Sequence, residues 1–399
     1  MNAGERLTEL TGVRAPDGSV VDLTFADGLI AAVQPAASPQ SGGWRVLPAA
    51  AEPHAHLDKA LTADRVDTEQ NDLPAAIAQW RDLAAGLDSA DIYDRALRAV
   101  RRYVSQGITT IRSHVDLPGT GDPMRGVDAL VRLRQDLGDR VTLQLVALAG
   151  HQTPDAVVDE ALARGIDILG GCPHLADSPA AELNRLLDIA ERTGAPIDLH
   201  ADEQLPATEL DLEELAKQVI ARGLTQPVTA SHCVRLGSLP PERLVPVLDL
   251  VAEAGIGIVT LPITNLYLQG REATHLVPRG LTAVRAILDA GIPLAAGGDN
   301  LRDPFNPVGR GDPFETTALL IAAGHLRPSE ALTAVTTGAQ AVLGLPATGL
   351  EPGGPADLIV VPDTDLGEVL AGWAGTRIVV HAGRVVSSTS VRTVMEALT

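Results

Sequence analysis

Eight short apolar runs, alternating with helix-like segments, constrain this chain more than any other feature. In order they read VLPAAAEPHAH, ITTIRSHVD, VTLQLVALAG, IDILGGCPH, PIDLHAD, VTASHC, IGIVTLPITN and PLAAGGDN. Their near-continuous apolar character fits strands buried on both faces, as in a parallel sheet. The segments between them carry helix punctuation. DSPAAELNRLLDIAERTG offers Ser178 as N-cap, Pro179 at the first helical position and Gly194 just past the end. TPDAVVDEALARG repeats that grammar with Thr153, Pro154 and Gly165. Eight such units predict an α/β fold, a (β/α)8 TIM barrel over residues 51–348.

The ends read differently. Residues 8–34 and 357–386 look like short alternating strands joined by turns at Asp17-Gly18, Asp27-Gly28 and Ala382-Gly383. Residues 1–50 and 349–399 are therefore expected to pair into one small β-sandwich domain formed by both termini.

Composition narrows the function. The net charge of -20 argues against nucleic acid, whose phosphates need clustered Lys and Arg, and against an anionic membrane surface. No stretch approaches the roughly 20 apolar residues of a membrane span. The start, MNAGERLTEL, carries no basic-then-apolar signal pattern. Two cysteines, Cys172 and Cys233, make no disulfide framework, so a cytoplasmic location is expected. They read as inert core thiols. A homo-oligomer that takes a small-molecule substrate is the expected form.

Ionisable groups are costly in buried strands unless paired or bound to metal. Here they gather at the C-terminal strand ends, where barrel active sites lie. The first run ends in His54 and His56, the second in His114 and Asp116, and the fourth in His174. The fifth ends in His200, Asp202 and Glu203, the sixth in His232, and the eighth in Asp299 and Asn300. Two histidines one residue apart share a face only on an extended strand, which marks His54 and His56 as metal ligands. His114 and His174 fit a supporting role or a core one equally; Asp202 reads as structural.

Taken together, EPHAHLDKAL, TTIRSHVDL, IDLHADE, VTASHC, NLYLQGR and GGDNLRDPFNPVG resemble the amidohydrolase superfamily, within it the cytosine deaminase-like branch, over nearly the whole chain. The resemblance implies the same barrel and terminal β domain. It implies that His54, His56, His200 and Asp299 hold one divalent metal ion, Zn2+ or Fe2+, which lowers the pKa of its water toward 7. Glu203 would shuttle protons between the ring and the leaving amine, with a pKa near working pH. Asp299 would accept the water proton, and His232 would hydrogen-bond the nucleophile. Relatives with two metals use a modified lysine on the fourth strand; the only lysines, Lys59 and Lys217, lie elsewhere.

Three positions depart from cytosine deaminases. Their glutamine after the third strand aligns with Gly150, followed here by His151 and Gln152; a second aspartate is Asn300; a tryptophan is Phe305. Substrate contacts are thus expected from Gly150, His151, Gln269, Asn300 and Phe305, although Gln269 could serve only to fix the seventh loop. Asn300 can donate a hydrogen bond where aspartate only accepts. The expected activity is hydrolysis of an exocyclic C–N bond of a small nitrogen heterocycle, cytosine-like or a modified pyrimidine or triazine. The alternatives are an amidohydrolase that removes an alkylamine or opens a cyclic amide, and a non-catalytic barrel serving assembly.

Overall fold

The computed structural model describes residues 1–396 except 39, 41, 68–71, 206–209, 276–277 and 373–374. Its centre is an eight-stranded sheet, all parallel, with strands in chain order. The strands are β1 Ala50–Ala55, β2 Ile108–Leu117, β3 Thr142–Ala149, β4 Ile168–Gly171, β5 Ile197–Ala201, β6 Val228–His232, β7 Gly257–Thr260 and β8 Leu294–Ala296. A parallel bridge between Ala55 and Asp299 closes this (β/α)8 barrel. Helices cover its outside through apolar stripes. Helix Ser89–Ser105, for example, buries Ile92, Ala96, Ala99, Val100 and Tyr103, a spacing of three to four residues that keeps them on one face.

The helix punctuation is partly reproduced. Helix Pro179–Thr193 ends at Gly194, whose φ of 73° supplies the left-handed C-cap. Ser178 precedes it but makes no side-chain cap bond. Thr153 is not a cap either. Its hydroxyl accepts from Gly150 N (3.0 Å) and donates to the Leu117 carbonyl (3.2 Å), tying the loop after β3 to the end of β2.

Two runs divide differently from the sequence reading. The first is split between two sheets, because Trp44–Pro48 belongs to the terminal domain and only Ala50–Ala55 to the barrel. The seventh is a strand only to Thr260; Pro262–Leu268 is a helix, with Pro262 at its first position. Periodicity cannot separate a short apolar strand from a short buried helix, and proline favours a helix start.

The terminal sandwich is one seven-stranded sheet. Its order is Arg384–Thr389, Arg377–His381, Leu358–Pro362, Trp44–Pro48, Glu9–Arg14, Val20–Ala26 and Leu29–Pro35. Bridges Arg6–Arg384 and Leu29–Pro355 fold it over a core that includes Leu23, Ile30, Val46, Leu358 and Val380. Asp27-Gly28 and Ala382-Gly383 are the two-residue turns, with all four residues at positive φ. No helix among the described residues is long and apolar enough to cross a membrane.

Candidate active site

The parallel barrel brings its strand ends to one rim, and the predicted ligands meet there. His54 and His56 lie two apart on and just past β1, so both rings point inward. His200 comes from β5, and Asp299 follows β8 with φ 65°. His54 Nε2 is 3.2 Å from His200 Nε2, and His200 Nε2 is 3.4 Å from His56 Nε2. Asp299 Oδ1 is 3.4 Å from His56 Nε2 and 3.9 Å from His54 Nε2. Ligands about 2.1 Å from a tetrahedral ion stand about 3.4 Å apart, so these four atoms fit one divalent cation. Asp299 Oδ1 is buried and has no hydrogen-bond partner. Burial, then the negative charges of Glu203, Asp303 and Glu52, pushes the Asp299 carboxyl far above its usual range, an environment that calls for a cation. Burial, then repulsion from the surrounding histidines and Lys59, keeps His54, His56 and His200 well below the ordinary histidine value, hence neutral, the form that can ligate a metal.

Glu203 sits three residues past His200 and is buried. Its Oε1 is 3.8 Å from His232 Nδ1, and its Oε2 is 3.6 Å from His174 Nε2. Burial would raise its carboxyl, but the His232, His174 and Lys59 charges outweigh burial and hold it below the ordinary range. That is lower than the sequence argument expects of a proton shuttle. The difference comes from the basic groups that the fold gathers around it. His174 responds in the opposite sense: burial lowers it, and Glu203, Asp211 and Asp202 raise it above the ordinary value. His174 is thus Glu203's partner.

His232 ends β6 in the left-handed region, φ 71°. Its Nδ1 lies 3.0 Å from Asn265 Oδ1, while Nε2 has no partner. Asn265 therefore holds the proton on Nδ1 and leaves Nε2 to face the site. Sequence does not single out Asn265, because its apolar run fits a strand to the end, whereas helix Pro262–Leu268 is what turns it toward His232. His114 packs its ring 3.9 Å from that of His54 and sits 3.7 Å from Asp198, below the ligands. Asp202 accepts from the Asp211 and Leu212 N–H groups at the start of helix Asp211–Arg222, a structural role.

A cavity of about 650 Å3 opens onto these groups. Gly150, His151, Asn300 and Phe305 line it, as does Cys172. Gln269 does not; its Nε2 donates to the Glu203 carbonyl at 2.6 Å and so fixes the backbone at Glu203. Asn300 gives one amide N–H to Asp303 Oδ2 at 2.7 Å. The donor expected to face a ring is partly engaged, because buried Asp303 also gathers the N–H groups of Phe305 and Asn306. Asn300→Asp would set two carboxylates against each other. We expect it to depress turnover on every substrate tested rather than to exchange one preference for another; a clean swap in kcat/KM would contradict this.

Lys59, Trp80 and Phe305 line the same cavity beside His56, a grouping that no sequence pattern marks. The buried ammonium is 3.0 Å from Asp116 Oδ1 and 3.2 Å from His56 Nδ1. It stands 5.7 Å from the Trp80 ring centre and 5.3 Å from that of Phe305. Trp80 belongs to helix Leu73–Ala84, outside the barrel runs, and donates Nε1–H to Asp116. Lys217 lies on the outer helix Asp211–Arg222, paired with Glu213.

Comparison with known proteins agrees with this geometry. A family model described as amidohydrolase family matches residues 76–387. Pterin deaminase of Rhizobium rhizogenes is 32% identical over 385 residues, covering 92% of this chain and 87% of that protein. The crystal structure of 5-methylcytosine deaminase from Klebsiella pneumoniae with 5-fluorocytosine superposes with a TM-score of 0.88 at 26% identity, covering 97% of this chain and 99% of that one. N-isopropylammelide isopropylaminohydrolase from Burkholderia multivorans gives 0.82 at 28%, covering 96% and 99%. With the family model spanning most of the barrel and the ligand set in place, the chain belongs to the amidohydrolase family, as a hydrolase of its cytosine deaminase-like branch.

Proposed function

We propose that this protein is a one-metal aminohydrolase that removes an exocyclic amine from an amino-oxo heterocycle, with two-ring substrates of the pterin type preferred to plain cytosine. The observation that carries the reading is the meeting of Glu203 and His232 with four cation-ligating atoms at one end of the cavity. Zn2+ or Fe2+ held by His54, His56, His200 and Asp299 would supply a water acidic enough to act as nucleophile near neutral pH. Glu203, ionised at rest, would take the first proton of the attacking water and give it to the ring nitrogen beside the reacting carbon; the second water proton, from the hydroxyl now on that carbon, would pass through Glu203 to the amine, which leaves as ammonia as the carbonyl forms. His232, fixed by Asn265, orients the nucleophile through Nε2. An imidazole that ligates through Nε2 keeps its proton on Nδ1, so Lys59 cannot donate to His56 in that state. Its ammonium keeps Asp116 as partner and lines the cavity, where its remaining N–H groups would turn from His56 toward a ring oxygen between the flat apolar faces of Trp80 and Phe305.

Two features support the larger ring: the cavity volume, and the open space where a side chain at Gly150 would stand, with only Thr153 Oγ1 within reach of a Cβ. The pterin deaminase relative points the same way. With Cys172 and Cys233 unpaired, a reducing cytoplasm suits the enzyme. The test is ammonia release from pterin, cytosine and 5-methylcytosine, with isopropylamine release from N-isopropylammelide measured alongside. Pterin should give the highest kcat/KM. Cytosine best by a wide margin would overturn the substrate reading, and dominant isopropylamine release would move the enzyme to the alkylamine reaction.

The His174–Glu203 contact makes a pH prediction. Glu203's folded pKa is depressed, so its stabilising contribution is present above 4.5 and fades as pH falls through the lower folded value. His174's is raised, so its contribution is present below 6.5 and fades as pH rises through the higher folded value. Both act fully between those two values. His174→Gln removes one of the basic groups that, after His232, hold Glu203 down, so the acidic limb of kcat/KM should move to higher pH. An unmoved limb would mean that Glu203 does not report there.

A further inference from the structure

We infer that Glu52 is a positioning residue that sets the two halves of the metal-ligand set against each other across the closing seam of the barrel. The seven other joints between neighbouring strands are ladders of three to eight residue pairs. The joint between β8 and β1 has a single bridge, Ala55–Asp299. That weak seam divides the ligands, with His54 and His56 on one side and Asp299 on the other.

Glu52 spans it. The side chain is only 2% exposed and lies on β1, two residues before His54. Its carboxylate accepts from Gly298 N at 2.8 Å and Asp299 N at 3.5 Å across the seam, and from His54 N at 3.4 Å on its own strand. One side chain thus stands in for the missing ladder and ties the backbone of one ligand to that of another. The approach is built in on the far side as well. A Cβ at Gly297 would lie 2.0 Å from Glu52 Oε1 and 2.9 Å from Pro53 Cδ, so glycine there admits the carboxylate and the strand that carries it. Asp299 itself holds φ 65°, a conformation that a non-glycine residue keeps only when its surroundings impose it. Among the described residues no cation pairs with Glu52. Backbone N–H groups are its partners, which fits a role in fixing backbone rather than in an ion pair.

The inference rests on the proposed metal site, and the test separates the two. Glu52→Gln keeps the shape but offers one acceptor oxygen in place of two, leaving an N–H2 against the Asp299 and His54 N–H groups. Gly297→Ala presses on the same carboxylate, and on Pro53 beside it, from across the seam, so Glu52→Gln is the variant that isolates the carboxylate. Zn2+ affinity of metal-free protein would be measured by chelator competition, and thermal unfolding with and without Zn2+. Groups that orient metal ligands typically cost about 10–100-fold in affinity when lost. Both variants should weaken Zn2+ binding in that range while the metal-free protein still unfolds cooperatively. Affinity within about twofold of the unmodified protein would overturn the inference, since a purely structural carboxylate lowers both unfolding midpoints equally and leaves affinity alone. Failure of both variants to fold would also overturn it, showing that Glu52 holds the barrel as a whole. If the unmodified protein binds no Zn2+, the metal site itself falls.

Discussion

Glu203→Gln should lower kcat by about 10²–10⁴-fold while the metal content stays unchanged. The substitution preserves shape and removes the proton. Glu203 supplies none of the four atoms proposed to hold the ion, so the ion should stay. Two interactions make the loss large. The carboxylate faces both His174 and His232, so it is ionised at rest and can accept a proton before it must give one. Its backbone is pinned by Gln269, so no neighbour can swing into its place without breaking that 2.6 Å bond. Substrate binding should change much less, because the flat walls belong to Trp80 and Phe305 and the buried cation, paired with Asp116, is Lys59. Near-normal kcat in a metal-loaded variant would sink the assignment and make His232 the proton carrier to test next. Loss of metal together with loss of turnover would mean that Glu203 supports the ligands.

What the sequence could reveal follows from where side chains carry their own signature. His54 and His56 are legible because a spacing of two has one meaning on a strand, and the barrel fixes which end of that strand is chemical. The terminal domain is legible because Asp27-Gly28 and similar pairs specify a turn locally. Contacts made across the barrel carry no such local mark. Gln269 could reach a substrate or a backbone carbonyl, and only the helix Pro262–Leu268 decides for the carbonyl. Trp80 sits outside the eight apolar runs, so nothing in its neighbourhood announces that it meets Asp116 beside Lys59. The lowered pKa of Glu203 depends on His174 from the segment after β4 and His232 from β6, a three-strand coincidence that no single motif displays. Asn300 shows the same limit: its exchange for aspartate is visible, but its bond to Asp303 is not.

Removing the ion should abolish turnover, by at least about 10³-fold, and activity should return with about one equivalent of Zn2+ or Fe2+ per chain. The four ligand atoms stand 3.2–3.9 Å apart in the measured pairs, a spacing suited to one ion. A second ion bridged by a modified lysine has no residue to use, since Lys59 is bound to Asp116 and Lys217 lies on the outer helix with Glu213. Asp299→Asn should mimic removal, because it deletes the one carboxylate among three neutral rings and with it the charge that holds a dication in a buried site. Binding should also show in stability. An ion that binds only the folded chain adds about 2.7 kcal/mol when its free concentration is 100 times Kd, so chelated protein should unfold at lower temperature than loaded protein. The three histidines proposed as ligands are held well below their ordinary value and need shed no proton, but burial and the charges of Glu203, Asp303 and Glu52 push the Asp299 carboxyl far above its usual range, so the ion must displace a proton there and Zn2+ affinity should rise with pH. Full turnover in protein stripped of metal, or two tightly held ions per chain, would each break this reading. The first would remove the metal from the chemistry, and the second would require a bridging ligand that neither lysine is placed to provide.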